Sequence, residues 1–190
     1  MALKSLVIDQ VHDFIRIRST QMLKAYVGIS DVSEEKVEGD LSVFGHWMTL
    51  IMVVGGPLRI TFKAHFMEGE AKALLANLTQ RDPNGISEDT AIDFMKEFCN
   101  TVAGSLKKGL LAAGMSTGIS LPIVTRGFDE LFFSKADGVT SFGAAWKFRS
   151  SIGELACSYV FDVMSPSEIE GLKLSPTDPE SDSSGELEFL

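Results

Sequence analysis

Apolar residues recur at helical spacing near the start of the chain, where Ile8, Val11, Ile15, Met22 and Tyr26 predict an amphipathic helix over residues 7–27. Gly28 is a natural stop for it. A turn-rich linker, Ser30–Glu35, then leads into three runs rich in Val, Ile, Phe and Thr: Lys36–Phe44, Trp47–Val54 and Leu58–Phe66. These read as strands, with Gly55-Gly56-Pro57 as the turn between the last two. Gly69–Leu78 reads as a short helix, and Asp82-Pro83-Asn84-Gly85 breaks the chain after it. From Ser87 the period returns to that of a helix. Ala91, Met95, Phe98, Cys99, Val102, Leu106 and Leu110 fill one wide arc, as in a helix lying on a core. Ser87 suits the N-cap, Glu88 and Asp89 suit the positive end of the helix dipole, and Gly109 or Gly114 is a candidate end. Four more strands follow, at Ile119–Val124, Leu131–Ser134, Phe142–Phe148 and Glu154–Val163, with a turn at Asp137-Gly138. Pro122 cannot donate to a ladder, so its strand lies at a sheet edge or the proline occupies an unpaired position.

The order is thus long helix, strands, short helix, long helix, strands, a faint two-fold repeat. It predicts an α+β fold: one mixed β-sheet with two long helices packed on it. The 190 residues suffice for one good core and are short for two. The domain is expected over residues 1–164. From Ser165 onward the chain carries Pro166, Pro176 and Pro179 among many acids against Lys173 alone, which predicts a disordered or loosely docked acidic tail over 165–190.

Charge removes several classes of function. A net charge of −9 disfavours nucleic acid and anionic membrane surfaces. No apolar run approaches the ~18 residues of a membrane span. Lys4 is soon followed by Asp9 and Asp13, which does not read as a signal peptide. Cys99 and Cys157 lie in apolar contexts and read as reduced core residues of a cytoplasmic protein. His12, His46 and His65 stand apart without ligand spacing, so no metal site of the protein's own is expected. The Gly55-Gly56 pair is not a phosphate loop, since no Gly-Lys-Ser/Thr and no helix follow it.

The candidate chemistry lies opposite the buried arc of the second long helix. Asp93, Glu97, Asn100, Gly104 and Lys107 fall in one narrow stripe. A solvated face explains such a stripe from spacing alone. The functional reading rests on residue type. A carboxylate can pair with a partner's cation, while a carboxamide one turn away offers the donor and acceptor that holding a water requires. Gly104 adds weight, because a mid-helix glycine costs about 1 kcal/mol relative to alanine and implies a close approach at that point.

The pattern Asp93-x3-Glu97-x2-Asn100, followed by Gly104, Lys107 and then Pro122 in an apolar strand, resembles the CheX/CheC/FliY family of chemotaxis phosphatases. The resemblance is concentrated in Ser87–Val124, and the order of elements on either side is compatible up to about Met164. It implies a CheC-like pseudo-two-fold fold and hydrolysis of the aspartyl phosphate of a CheY-type response regulator. By that analogy Glu97 and Asn100 are the catalytic pair, with Asp93, Gly104, Lys107 and Pro122 in support. The phosphorylated receiver partner would bring its own Mg2+, and the protein would need no cofactor. A homodimer is a further expectation. The first helix offers Asp9-x3-Asp13-x2-Arg16, with neither the Glu nor the Asn, so one active helix is inferred, as in CheX. Two other classes fit the same residues: a non-catalytic adaptor that binds a receiver, and a structural or interaction protein with a CheC-like fold.

Overall fold

A computed structural model of the chain describes residues 5–26, 28, 31–37, 47–126 and 138–176. Helix α1 (Ser5–Tyr26) leads to β1 (Ser33–Val37), β2 (Trp47–Val54) and β3 (Leu58–Phe66). Helix α2 (Glu68–Thr79) and a single 3-10 turn at Pro83–Gly85 precede α3 (Glu88–Ala112). Strands β4 (Gly118–Ile119), β5 (Ile123–Arg126), β6 (Thr140–Arg149) and β7 (Glu154–Val163) follow, and a one-turn α4 (Pro166–Ile169) closes the described chain.

The seven strands form one sheet in the order β1-β6-β7-β3-β2, with β4 and β5 both pairing with β2. Swap each strand of the first half for its counterpart in the second, β1 for β5, β2 for β6 and β3 for β7, and this order becomes its own reverse. The two-fold axis therefore passes between β3 and β7, which pair from Leu58↔Val163 to His65↔Ala156. The class is α+β as expected. Every described pairing is antiparallel, so among the described residues the sheet is not mixed. Helices α1 and α3 occupy equivalent places, with α1 against β6 and α3 against β2.

Alternation along the strands sends Ile60, Phe62, Ala64 and Phe66 of β3, and Cys157, Tyr159 and Phe161 of β7, into the core beneath the helices. The same core takes Val11, Phe14 and Ile15 from α1 and Met95, Phe98, Val102 and Leu106 from α3. Burying such side chains is worth about 1.5–3 kcal/mol each. The opposite face of these strands is also buried, but more polar. There Arg59 pairs with Asp162 at 2.7 Å, Ser141 donates to the same carboxylate, and His65 meets Ser158.

Three expectations change. Strand β1 starts at Ser33, inside the expected linker, because its two glutamates find cations: Glu34 pairs with Arg16 and Glu35 with Arg149. The continuous strand expected over Ile119–Val124 is split in two around Pro122. In the gap, Ser120 N donates to Met52 O and Ser120 Oγ accepts from Met52 N, so the edge stays attached to β2 without a donor from the proline. Finally, residues 165–174 are packed and not a loose tail. Ile169, Leu172 and Leu174 are buried in the main core, and Leu174 N donates to the Gln10 side chain. Three apolar residues among prolines and acids are too few to mark a periodic element in sequence. The expected strand at Leu131–Ser134, most of that at Lys36–Phe44, and the acidic residues from 177 onward lie outside the described residues.

Candidate functional site on helix α3

Helix α3 is positioned by its own ends. Ser87 Oγ accepts from Thr90 N at the N-cap, and Glu88 and Asp89 lie in the first turn, where the dipole favours them. At the far end Gly114 adopts φ +82, so it and not Gly109 supplies the left-handed stop. Gly109 has another task. A Cβ there would lie 2.8 Å from a ring carbon of Phe14, so glycine is what lets α1 and α3 approach.

With the core arc fixed downward, the stripe faces out: Asp93, Asn100 and Lys107 are exposed and Glu97 is half-buried. Asn100 Nδ2 donates to Glu97 Oε2 at 3.4 Å. Thr101 Oγ1 donates to Glu97 O at 3.0 Å and reaches Glu97 Oε1 at 3.4 Å. The carboxylate is thereby held from two sides, at lengths that leave it able to take a stronger partner. With one Nδ2 hydrogen turned to Glu97, the amide still has its oxygen and a second N–H for a water. Asp93 pairs with Lys96 at 2.8 Å, an exposed pair worth little energy but enough to occupy the carboxylate. Thr101 was not singled out from sequence, although its i+4 offset from Glu97 is the signal that could have found it.

The remaining stripe residues divide. Nothing lies within 4 Å of a Cβ built on Gly104, so the chain's own packing does not require glycine there and the helix surface at that point is open. Lys107 is exposed one turn further on. Pro122 is half-buried in the interrupted edge strand, between Leu121 (84% exposed) and Ile123 (42%). Both strand segments flanking it contact α3, which ties the proline's strand to the motif helix.

Neither cysteine is a nucleophile. Both are fully buried, and burial pushes both thiols well above their ordinary range. Among the described residues no group of three or more His, Cys, Asp or Glu is arranged to hold a metal ion, and no helix is long and apolar enough to cross a membrane.

Comparisons with known proteins bear on the fold and the family. The family model for chemotaxis phosphatase CheX matches residues 48–141. No curated protein sequence matches the chain. Among solved structures, the chemotaxis protein CheX of Vibrio vulnificus superposes with a TM-score of 0.62 at 24% identity, covering 77% of this chain and 95% of that one. A chain of the CheX–CheY–BeF3–Mg2+ complex of Borrelia burgdorferi gives 0.61 at 13% identity, over 82% and 97% of the two chains. A chain of the FliG–FliM complex of H. pylori gives 0.58 at 10% identity, over 90% and 99%. At these identities the structures show a shared fold. Residues 48–141, just under half of the chain, match the family model of chemotaxis phosphatase CheX, and the fold is that of CheX- and CheC-like chemotaxis proteins.

Proposed function

We propose that the protein hydrolyses the aspartyl phosphate of a CheY-type receiver domain, with Asn100 and Glu97 as the residues it contributes. The observation that carries this reading is the outward carboxylate–carboxamide pair on α3, joined at 3.4 Å and free of the core. The fold alone does not decide, because a chain in a FliG–FliM complex has it too. That likeness favours the second reading, a non-catalytic adaptor or interaction protein with a CheC-like fold.

In the proposed reaction a water oxygen bonds to phosphorus as the bond from phosphorus to the receiver's carboxylate oxygen breaks. The products are the free aspartate and inorganic phosphate, and the proton of the water leaves to phosphate or solvent. Such a transition state is loose, so positioning contributes more than a strong base. Asn100 would hold the water in line, as a glutamine does in small GTPases. Glu97 would meet the receiver's lysine and fix the docking register, giving up its weak bonds to Asn100 and Thr101 for a charged one. Asp93 would keep Lys96 in place. The open surface over Gly104 is where the receiver backbone could come close, with Lys107 beside it for an acidic partner surface. The Mg2+ this chemistry needs would be bound by the receiver.

The test is decay of a phosphorylated receiver from the same organism, followed with and without the protein at catalytic ratios. Multiple turnovers are expected. Binding without faster decay would establish the adaptor reading in its place.

A further inference from the structure

The stripe on α3 does not end at Lys107. Leu111, one turn further on, continues the same face and is 60% exposed. A second exposed leucine stands on the neighbouring sheet rim. Leu121, at 84%, is the most exposed large apolar side chain among the described residues. An exposed leucine alone means little; what sets these two apart is where they stand.

Strand register places Leu121 along the helix. Cys99 Sγ lies 3.8 Å from Thr49 O, and Thr49 pairs with Val124 of β5, so the residue beside Asn100 is level with Val124. From there α3 runs toward the Val53–Val54 end of β2, because residues 113–117 alone join it to β4, which pairs there. Ser120 N donates to Met52 O, which sets Leu121 near the level of Ile51, two strand residues past Thr49. That is roughly 7 Å of strand, the rise of about four to five helical residues, so Leu121 is level with Gly104. Its backbone is held: Ser120 Oγ donates to Leu121 O at 2.9 Å and accepts from Met52 N, and Pro122 fixes the next φ. A side chain presented from a fixed backbone loses little freedom when a partner covers it.

Glu97 and Asn100 do not by themselves make a protein interface. A specific interface covers about 800 Å2 on each side, a disc roughly 16 Å in radius. Centred near Asn100, such a disc takes in Leu121 and reaches Leu111, about 16 Å away along the helix axis. Toward the helix N-terminus lies the Asp93–Lys96 ion pair at 2.8 Å. Interface centres are depleted of charge, so the apolar part of the contact falls on the Gly104 side, where glycine leaves the helix surface bare. A second copy of the chain adding a strand at this rim is disfavoured, since Pro122 has no N–H to donate and β4 spans only Gly118–Ile119.

Resting on the receiver reading of α3, we propose that Leu121 is the apolar docking contact for the receiver domain, with Leu111 at the rim of the same footprint. Leu121 then sets affinity and favours a receiver that offers an apolar group opposite it, while Glu97 and Asn100 act at the phosphoryl group.

The experiment uses the full chain and a receiver domain from the same organism, loaded with Mg2+ and beryllofluoride for calorimetry and phosphorylated for decay. Leu121→Ser should raise both Kd and KM roughly tenfold with kcat and melting temperature unchanged, the pattern of an exposed contact that binds ground and transition states alike. Leu111→Ser should raise them about twofold, as a rim position does. Leu121→Met, which keeps an apolar side chain, should restore near-parental values. Parental Kd and KM in Leu121→Ser, with turnover still lost in Asn100→Ala, would overturn this contact and leave the phosphatase reading standing. Binding weakened by Leu121→Ser with no turnover even in the parent would support the contact and overturn the phosphatase reading in favour of an adaptor. A parent that neither binds nor dephosphorylates any receiver would overturn both. If Leu121→Ser changes only self-association, read by sedimentation, a second copy occupies the rim and the proposal falls.

Discussion

Helices α1 and α3 are copies in place but not in chemistry. Their burial patterns run in step: Val7, Val11, Phe14, Ile15, Arg18, Ser19 and Met22 are buried where Ala91, Met95, Phe98, Cys99, Val102, Ala103 and Leu106 are. Asp9, Asp13 and Arg16 then stand where α3 has Asp93, Glu97 and Asn100. On α1 the third position is tied down. Arg16 Nη1 meets Glu34 Oε1 at 3.0 Å, Nη2 meets Asp13 at 3.6 Å, and Thr20 donates to the same glutamate. Arginine is also a donor only, so it cannot accept a hydrogen bond from water as an amide oxygen can. The fold duplicates the scaffold, and the choice of residue together with freedom from the sheet sets which copy suits the proposed reaction.

The largest expected effect is at the free copy. Asn100→Ala should lower phosphatase turnover roughly 10²–10³-fold, about 3–4 kcal/mol, because a water-holding amide acts chiefly in the transition state. Receiver affinity should change little. Glu97→Ala should weaken both binding and rate, and Glu97→Lys should be worse, since it sets like charges together. Phospho-receiver decay at saturating and sub-saturating protein separates the two patterns. Asn100→Ala with parental turnover would remove the functional half of the comparison.

The C-terminal strap, residues 165–174, follows β7 as α2 follows β3, but with 4 helical residues where α2 has 12, and it tests whether the scaffold of the two halves is as symmetric as the strand order suggests. Ile169 is fully buried, so Ile169→Ala should cost about 2–4 kcal/mol in chemical denaturation. Ending the chain after Met164 should lower the melting temperature by many degrees, while ending it after Pro176 should lower it little. A small effect from the shorter chain would mean that Ile169, Leu172 and Leu174 are not holding α1 and α3 together.

The strap also shows where the sequence was and was not legible. Long periodic segments were plain: β2, β3 and β7 match their expected bounds, and the α3 arc packs as its spacing implies. Asp93, Glu97 and Asn100 were legible because helical spacing fixes their direction once the buried arc is known. Short elements were not. One turn of α4 and five residues of β1 carry too little periodicity, and their stability comes from partners far along the chain, Gln10 for the strap and Arg16 and Arg149 for β1.

A smaller effect is expected when the motif is written onto the tied copy. Asp13→Glu with Arg16→Asn reproduces the acidic and amide positions of α3 on α1. Stability should fall by about 0.2–1 kcal/mol, the worth of a part-exposed ion pair. In an Asn100→Ala background it should not restore phosphatase activity. Glu34 would still lie against that face and place a carboxylate where a phosphoryl group must approach. Substantial recovered turnover would show that residue type alone, and not release from β1, separates the two helices.

The smallest effect concerns His12, which stands on α1 where α3 carries Lys96. Burial, the larger influence, lowers its pKa from about 6.5; Arg16 and Lys36 push the same way, and Asp13 and Glu34 oppose them. Its ring stands edge-on to Trp146, with centroids 5.9 Å apart, so the folded state favours the neutral form. The sign follows by linkage. Below about pH 6.5 the unfolded chain takes up a proton on this histidine that the folded chain takes up less readily. The associated stability is full above that pH and is lost as pH falls through the window beneath it. Glu154, held below its ordinary range first by Lys147 and then by Arg149, loses its own contribution only at lower pH. Urea denaturation between about pH 7 and pH 5 should therefore show a decline in the parent that His12→Gln flattens by up to one proton's slope. Equal slopes in parent and variant would mean that α1 holds its histidine no differently from the unfolded chain.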